Sequence, residues 1–153
     1  MKEVEEGMPN FWVFNIGTAR QAPPEDWLAA WSHHTGQMWF PPTKRPTGVS
    51  AGDRAVIHGS GSRGFLAVVE VISTEPEPNP TEDDEGRHRW PWILRYRLLL
   101  AIRADAHAPS LERVDWPNPK SLRRQSHVRI DREMYERVCG ALLEAATNAI
   151  SVP

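Results

Sequence analysis

The stretch Arg54–Ile72, RAVIHGSGSRGFLAVVEVI, limits the folds open to this chain more than any other. Two apolar runs, Arg54–His58 and Phe65–Ile72, are rich in valine and isoleucine and flank the glycine-serine segment GSGSRG. Branching at Cβ restricts χ1 and suits a pleated, packed surface, so both runs read as strands. The glycines between them read as a hairpin turn. The same six residues match G-x-G-x-x-G letter for letter. A dinucleotide site, however, needs that motif between a strand and a helix whose N-terminus meets the pyrophosphate. Here a second strand follows, which argues against a Rossmann fold.

The remaining elements are arranged around this hairpin. FWVFNI, 11–16, bounded by Pro9-Asn10 and Gly17-Thr18, reads as a buried strand. PPEDWLAAWSHH, 23–34, reads as a short helix with proline and acids in its first turn and Trp27, Leu28 and Trp31 on one face. Residues 37–53 read as mostly loop. Trp92–Arg103 is the longest strand; Trp92, Leu94, Tyr96, Leu98, Leu100 and Ile102 share one face at period two, and Arg95, Arg97 and Arg103 the other. Residues 104–121 form a proline-containing connection, and LRRQSHVRI, 122–130, holds a last short strand. Asp131 caps a closing helix to about Ala149, in which Tyr135, Val138, Cys139, Leu142, Ala146 and Ile150 recur at helical spacing. Strands outnumber helices and are joined by hairpins or loops. The expected class is α+β: a small mixed β pseudo-barrel flanked by α-helices.

At 153 residues the chain fits one domain, taken as 10–150, after a flexible tail, 1–9. The one cysteine, Cys139, precludes an internal disulfide and suits a reducing compartment. No apolar run reaches the roughly 20 residues of a membrane span, and the acidic start MKEVEEGMPN is no signal peptide, so a cytoplasmic monomer away from membranes is expected. A net charge of −2 conceals an asymmetry. EPEPNPTEDDE, 75–85, holds six of the 20 acids, and the proline-rich stretch 75–86 reads as an extended, exposed loop. Residues 87–137 carry 12 basic against six acidic side chains. Such a segment is a weak pointer to a polyanion, and equally consistent with solvated strand and helix faces.

Catalytic patterns are sparse. His33 and His34 are adjacent, so they point apart on a helix, and His58, His88, His107 and His127 are scattered; no metal or cofactor is expected. There is no G-x-S-x-G elbow. Glu70 shares period two with Val68 and Ile72 and is open to a catalytic role, but has no evident partner. No enzymatic activity is therefore expected.

Aromatic residues with basic neighbours remain. Trp39 opens a proline-rich segment holding Lys44 and Arg45, and Trp90 lies between Arg89 and Pro91. Indole stacks on a nucleobase for about 1–3 kcal/mol, and two indoles can clamp one base. The alternative is that Trp39 and Trp90 plug the ends of the barrel. Trp92, at the head of the period-two row, reads as core.

In order and content these pieces resemble the EVE domain, a member of the PUA-like superfamily related to YTH domains. The resemblance rests on FWVFN, on Trp39, on AGDRAVIHGSGSRGFLAVVEVIS at 51–73, on RWPWILRYRLLL at 89–100, and on SLRRQSHVRI with the closing helix. It covers about residues 10–149. It implies a PUA-like pseudo-barrel with a pocket that takes a flipped, methylated base from DNA or RNA. By the same resemblance Trp39 and Trp90 are cage walls and Asn15, Ile16 and Gly17 read the base edge. The resemblance also implies that Arg123, Arg124 and Ser126 hold phosphates, and Lys44 and Arg45, beside Trp39, are expected to join them. Where relatives carry Lys-Ser-Glu-Pro after the first strand, this chain has Asn15-Ile16-Gly17-Thr18, without the serine hydroxyl and the carboxylate. Two other functions fit the same fold: an RNA-processing enzyme of the ASCH type, and a small-molecule or protein-interaction module.

Overall fold

The computed structural model describes residues 8–16, 36–40, 42–59, 64–79, 91–102, 107–117, 122 and 126–151, with the backbone alone at 39, 42 and 146–151. The strands are β1 (Phe11–Ile16), β2 (Gln37–Phe40), β3 (Arg54–Gly59), β4 (Gly64–Val71), β5 (Glu77–Pro78), β6 (Trp92–Ala101) and β7 (His127–Ile130), followed by the helix α1 (Arg132–Ser151). They form one seven-stranded sheet in the order β2-β6-β4-β3-β1-β7, with β5 on β6. β1 and β3 run parallel; the other pairs are antiparallel.

The strand order alone would leave β2 and β7 far apart. Yet Phe40 of β2 lies edge-on to Phe14 of β1, with ring centroids 5.6 Å apart, and to His127 of β7 at 5.8 Å. The sheet therefore curls until its two ends meet around a common interior, the expected pseudo-barrel. β1 sits between β3 and β7 with an apolar side chain on each face, which explains why FWVF is continuously apolar rather than alternating. Trp12 and Phe14 face the curled interior, whereas Phe11 meets Tyr135 of α1 at 4.5 Å.

Helix α1 begins as its sequence dictates. The Asp131 carboxylate accepts the Met134 N–H at 2.8 Å, which satisfies an amide the helix cannot. Tyr135, Val138 and Leu142 are buried and Cys139 partly so, as their spacing predicts. Among the described residues no helix is long and apolar enough to cross a membrane.

The hairpin reading holds, with His58 opposite Phe65 and Gly59 opposite Gly64. Gly64 has φ +89°, and a Cβ there would stand 2.4 Å from the Pro109 carbonyl oxygen. The backbone amide of Phe65 donates to that same oxygen at 2.8 Å, so glycine is needed for close approach of two chains.

Asp53, in the turn before β3, is buried and takes three donors. Its carboxylate accepts the Asn10 amide at 3.0 Å, the Trp12 indole N–H at 3.0 Å and the Ser50 amide at 3.1 Å. One short side chain thus ties the start of β1 to the start of β3.

The described part of residues 37–53 is mostly loop and turn, as expected, although Gln37–Phe40 at its start pairs with Arg95–Trp92 as a strand too short to show periodicity. Three expectations need correction. The described start of the acidic stretch, 75–79, does not stand free: Glu77–Pro78 pairs with Ile93 and Trp92, and Asn79 donates its amide to the Pro91 carbonyl at 2.9 Å. The period-two row of β6 breaks at a bulge, since Val68 faces Leu100 and Val69 faces Leu98, leaving Leu99 unpaired. Leu98 and Leu99 are both 40% exposed as a result. Glu70 is no lone carboxylate but pairs with Arg97 at 2.6 Å. The helix expected over 23–34 lies outside the described residues.

Candidate functional site

Because β1 and β3 are parallel, their carboxyl ends lie side by side, and the register sets Asn15 opposite His58 and Ile16 opposite Gly59. Side chains at paired positions share a face, which for Asn15 and His58 is the face of Phe11. Asn15 is held from three directions. Its backbone amide donates to the Ser126 carbonyl at 2.9 Å. Its side-chain NH2 donates to the Leu122 carbonyl at 3.1 Å, and its Oδ1 lies 2.8 Å from Nδ1 of His58. A carbonyl oxygen cannot donate, so the NH2 of Asn15 is the end that faces Leu122 and its oxygen is the end that faces His58. His58 therefore carries its proton on Nδ1, and the lone pair is on Nε2.

Burial pushes the His58 pKa down to about 4, which keeps the ring neutral at physiological pH. The ring is edge-on to Phe65 at 5.1 Å, and Phe65 in turn lies 6.4 Å from Trp116. Trp116 is half-buried and packs against the core from the connection between β6 and β7.

The opposite face of β1 carries a second group. His127, opposite Phe14, has its ring between Trp12 at 5.9 Å and Phe40 at 5.8 Å. Its Nδ1 is 2.9 Å from the Ser126 hydroxyl. Burial lowers the His127 pKa, and the charge of Lys44 lowers it further. Lys44 closes the 3-10 turn Pro42–Lys44 that follows β2. The next residue, Arg45, lays its guanidinium over the ring of Trp92, 4.6 Å from the centroid. Trp92 is thus half-buried, packed on the core from one side and faced by a cation.

Most other described cations are engaged elsewhere. Arg95 pairs with Glu77, Arg97 with Glu70, Arg113 with Glu144 and Arg137 with Glu133. These pairs take up four of the 12 basic side chains counted over residues 87–137. Lys44 and Arg45 have no carboxylate partner among the described residues, so their charge stays available to an anion.

Of the residues singled out from the sequence, Asn15 and Ser126 meet at the carboxyl end of β1, and the charge of Lys44 acts on His127, next to Ser126, on the opposite face. Ile16 ends β1 partly buried against the core. Trp39 belongs to β2, opposite Ile93, rather than to a loop. Gly17, Trp90, Arg123 and Arg124 lie outside the described residues. Sequence reasoning passed over His58 and His127. Each is the polar member of an apolar strand, a faint signal that becomes informative only once the register shows what faces it. Among the described residues no group of three His, Cys, Asp or Glu side chains could hold a metal ion. The site can hydrogen-bond and stack.

No protein-family model and no curated protein sequence matches the chain. Solved structures do. The Mmi1 YTH domain, solved in complex with RNA, is 10% identical with a TM-score of 0.59, over 94% of this chain and 83% of that one. Human THYN1, solved with DNA containing 5-methylcytosine, is 10% identical with a TM-score of 0.51, over 86% and 96%. A hypothetical protein from Leishmania major is 13% identical with a TM-score of 0.57, over 90% and 96%. At these identities the likeness shows the fold, which is the YTH- and EVE-like fold expected from the sequence.

Proposed function

We propose that this chain is a non-enzymatic nucleic-acid-binding module that holds a flipped, methylated base between aromatic side chains. Lys44 and Arg45 carry the assignment: two cations without carboxylate partners among the described residues, directly after the strand of Trp39. Two proteins of the same fold, solved with RNA and with 5-methylcytosine DNA, support it further. Trp39 and Trp90 are the proposed walls. Pairing of Trp39 with Ile93 supports this, since Trp90 precedes that strand by only two residues. Arg123, Arg124 and Ser126 join Lys44 and Arg45 in holding phosphates, with Ile16 and Gly17 beside the base. Extruding a base costs a few kcal/mol, least from a single strand, and stacking on two indoles offsets that cost. Glu70 and Cys139 lend no support to catalysis. The carboxylate is committed to Arg97, and burial pushes the Cys139 thiol up in pKa, away from the reactive thiolate.

Titration of tryptophan emission with single-stranded DNA and RNA, methylated and unmethylated, tests this. Binding at low salt should weaken by about tenfold or more in Trp39→Ala, given the worth of one stacking contact. The double variant Lys44→Ala/Arg45→Ala should flatten the salt dependence by roughly two counterions. Absence of binding to every oligonucleotide, or binding indifferent to Trp39, would exclude the proposal.

A further inference from the structure

Asn15 was expected, with Ile16 and Gly17, to read the base edge; each polar end of its side chain also makes a bond within the protein, the NH2 to Leu122 and the oxygen to His58. These two bonds fix the amide and, through it, the ring of His58. With Nδ1–H donated to Asn15, His58 keeps an Nε2 lone pair with no partner among the described residues. The tautomer is imposed from outside the ring: the Leu122 carbonyl orients the amide, and the amide orients the imidazole. Phe65 braces the ring edge-on at 5.1 Å, so the acceptor direction is fixed as well. An acceptor that is partly buried and cannot switch to a donor discriminates between ligands, because leaving either partner unsatisfied costs more than the bond itself gives.

We infer that His58 sets the base preference of this site, its Nε2 accepting a hydrogen bond from the exocyclic amino group of a cytosine or adenine base. The inference rests on the nucleic-acid reading above and names the ligand class within it. An amino group at that edge presents N–H to the lone pair. The keto oxygen of uracil or hypoxanthine presents a second acceptor and is repelled. A methyl group on the base carbon, or a single methyl on the amine, leaves an N–H available, so the preference is compatible with a methylated ligand. Asn15 is here a positioning residue that acts through His58.

Long-range proton–nitrogen NMR on the unliganded protein reads the tautomer directly. The proton should reside on Nδ1 of His58, and Asn15→Leu should release it to a mixture of tautomers. Tryptophan-emission titrations then compare single-stranded oligonucleotides that differ only as cytosine against uracil, or adenine against hypoxanthine. The wild-type chain should favour the amino member of a pair by about tenfold, the worth of one hydrogen bond. His58→Leu should reduce that ratio to within about twofold. His58→Gln, whose Oε1 can accept near the position of Nε2, should restore part of it and serves as the second variant if leucine disturbs the fold. A proton found on Nε2, or an amino preference that survives in His58→Leu, would overturn the inference while leaving the nucleic-acid reading in place. Failure of the wild-type chain to bind any oligonucleotide would overturn both.

Discussion

Replacing Asp53 by alanine removes the single acceptor shared by Asn10, Trp12 and Ser50, and its consequence follows from the geometry. The side chain is 5% exposed, and its two oxygens divide the donors unequally. Oδ1 takes the Asn10 amide, and Oδ2 takes both the Trp12 indole N–H and the Ser50 amide. A hydrogen bond to a charged group contributes about 1.5–3 kcal/mol, and a buried donor left unsatisfied costs about 1–3 kcal/mol. The Asn10 and Ser50 amides are only partly buried, so water recovers some of the loss there; the Trp12 bond is buried and recovers little. The expected destabilisation of Asp53→Ala is about 4 kcal/mol, against a total of roughly 5–15 kcal/mol for a typical domain. Asparagine is the informative comparison. With its carbonyl in the place of Oδ2 it keeps Trp12 and Ser50 and loses only Asn10, so Asp53→Asn should cost about 2 kcal/mol. Urea unfolding followed by tryptophan emission gives both numbers, and the Trp12 indole proton reports the bond itself. It should shift in the alanine variant and stay near its wild-type position in the asparagine variant. Equal losses in the two variants, or an alanine variant within about 1 kcal/mol of wild type, would refute this account of the turn.

Two further outcomes follow from the same packing. His58 titrates at about 4 in the fold and near 6.5 when unfolded, so in that window the unfolded chain holds a proton the fold does not. Stability is then lost as pH falls, by about 2 kcal/mol between pH 7 and pH 5 from this residue. His127 adds in the same direction. Urea melts of His58→Gln should show a shallower pH dependence, and parallel curves would count against a buried neutral imidazole. Gly64→Ala combines a left-handed φ with a Cβ 2.4 Å from the Pro109 oxygen, and should lower stability by roughly 2–4 kcal/mol in the same assay. An unchanged melt would mean that the chain around Pro109 can withdraw freely.

The sequence by itself determined most of the elements. Runs such as FWVFNI and FLAVVEVI read as strands, GSGSRG between two such runs read as a hairpin connection, and the cap and spacing of residues 131–142 specified a helix with one buried stripe. These signals are local, carried by periodicity, branching at Cβ and capping chemistry within a few residues. Short pieces escaped because they lack a period: Gln37–Phe40 and Glu77–Pro78 are strands only because β6 lies beside them. The bulge at Leu99 and the pairings of Arg95 with Glu77 and Arg97 with Glu70 likewise arise between distant segments. The site divides in the same way. Asn15, Lys44 and Ser126 were legible as polar residues near aromatic ones. That Asn15 orients His58, and that Nε2 of His58 keeps a lone pair with no partner among the described residues, depends on the parallel register of β1 and β3 and on a carbonyl 107 residues away. Hydrogen bonding is settled by which atoms meet, and only the tertiary structure decides that.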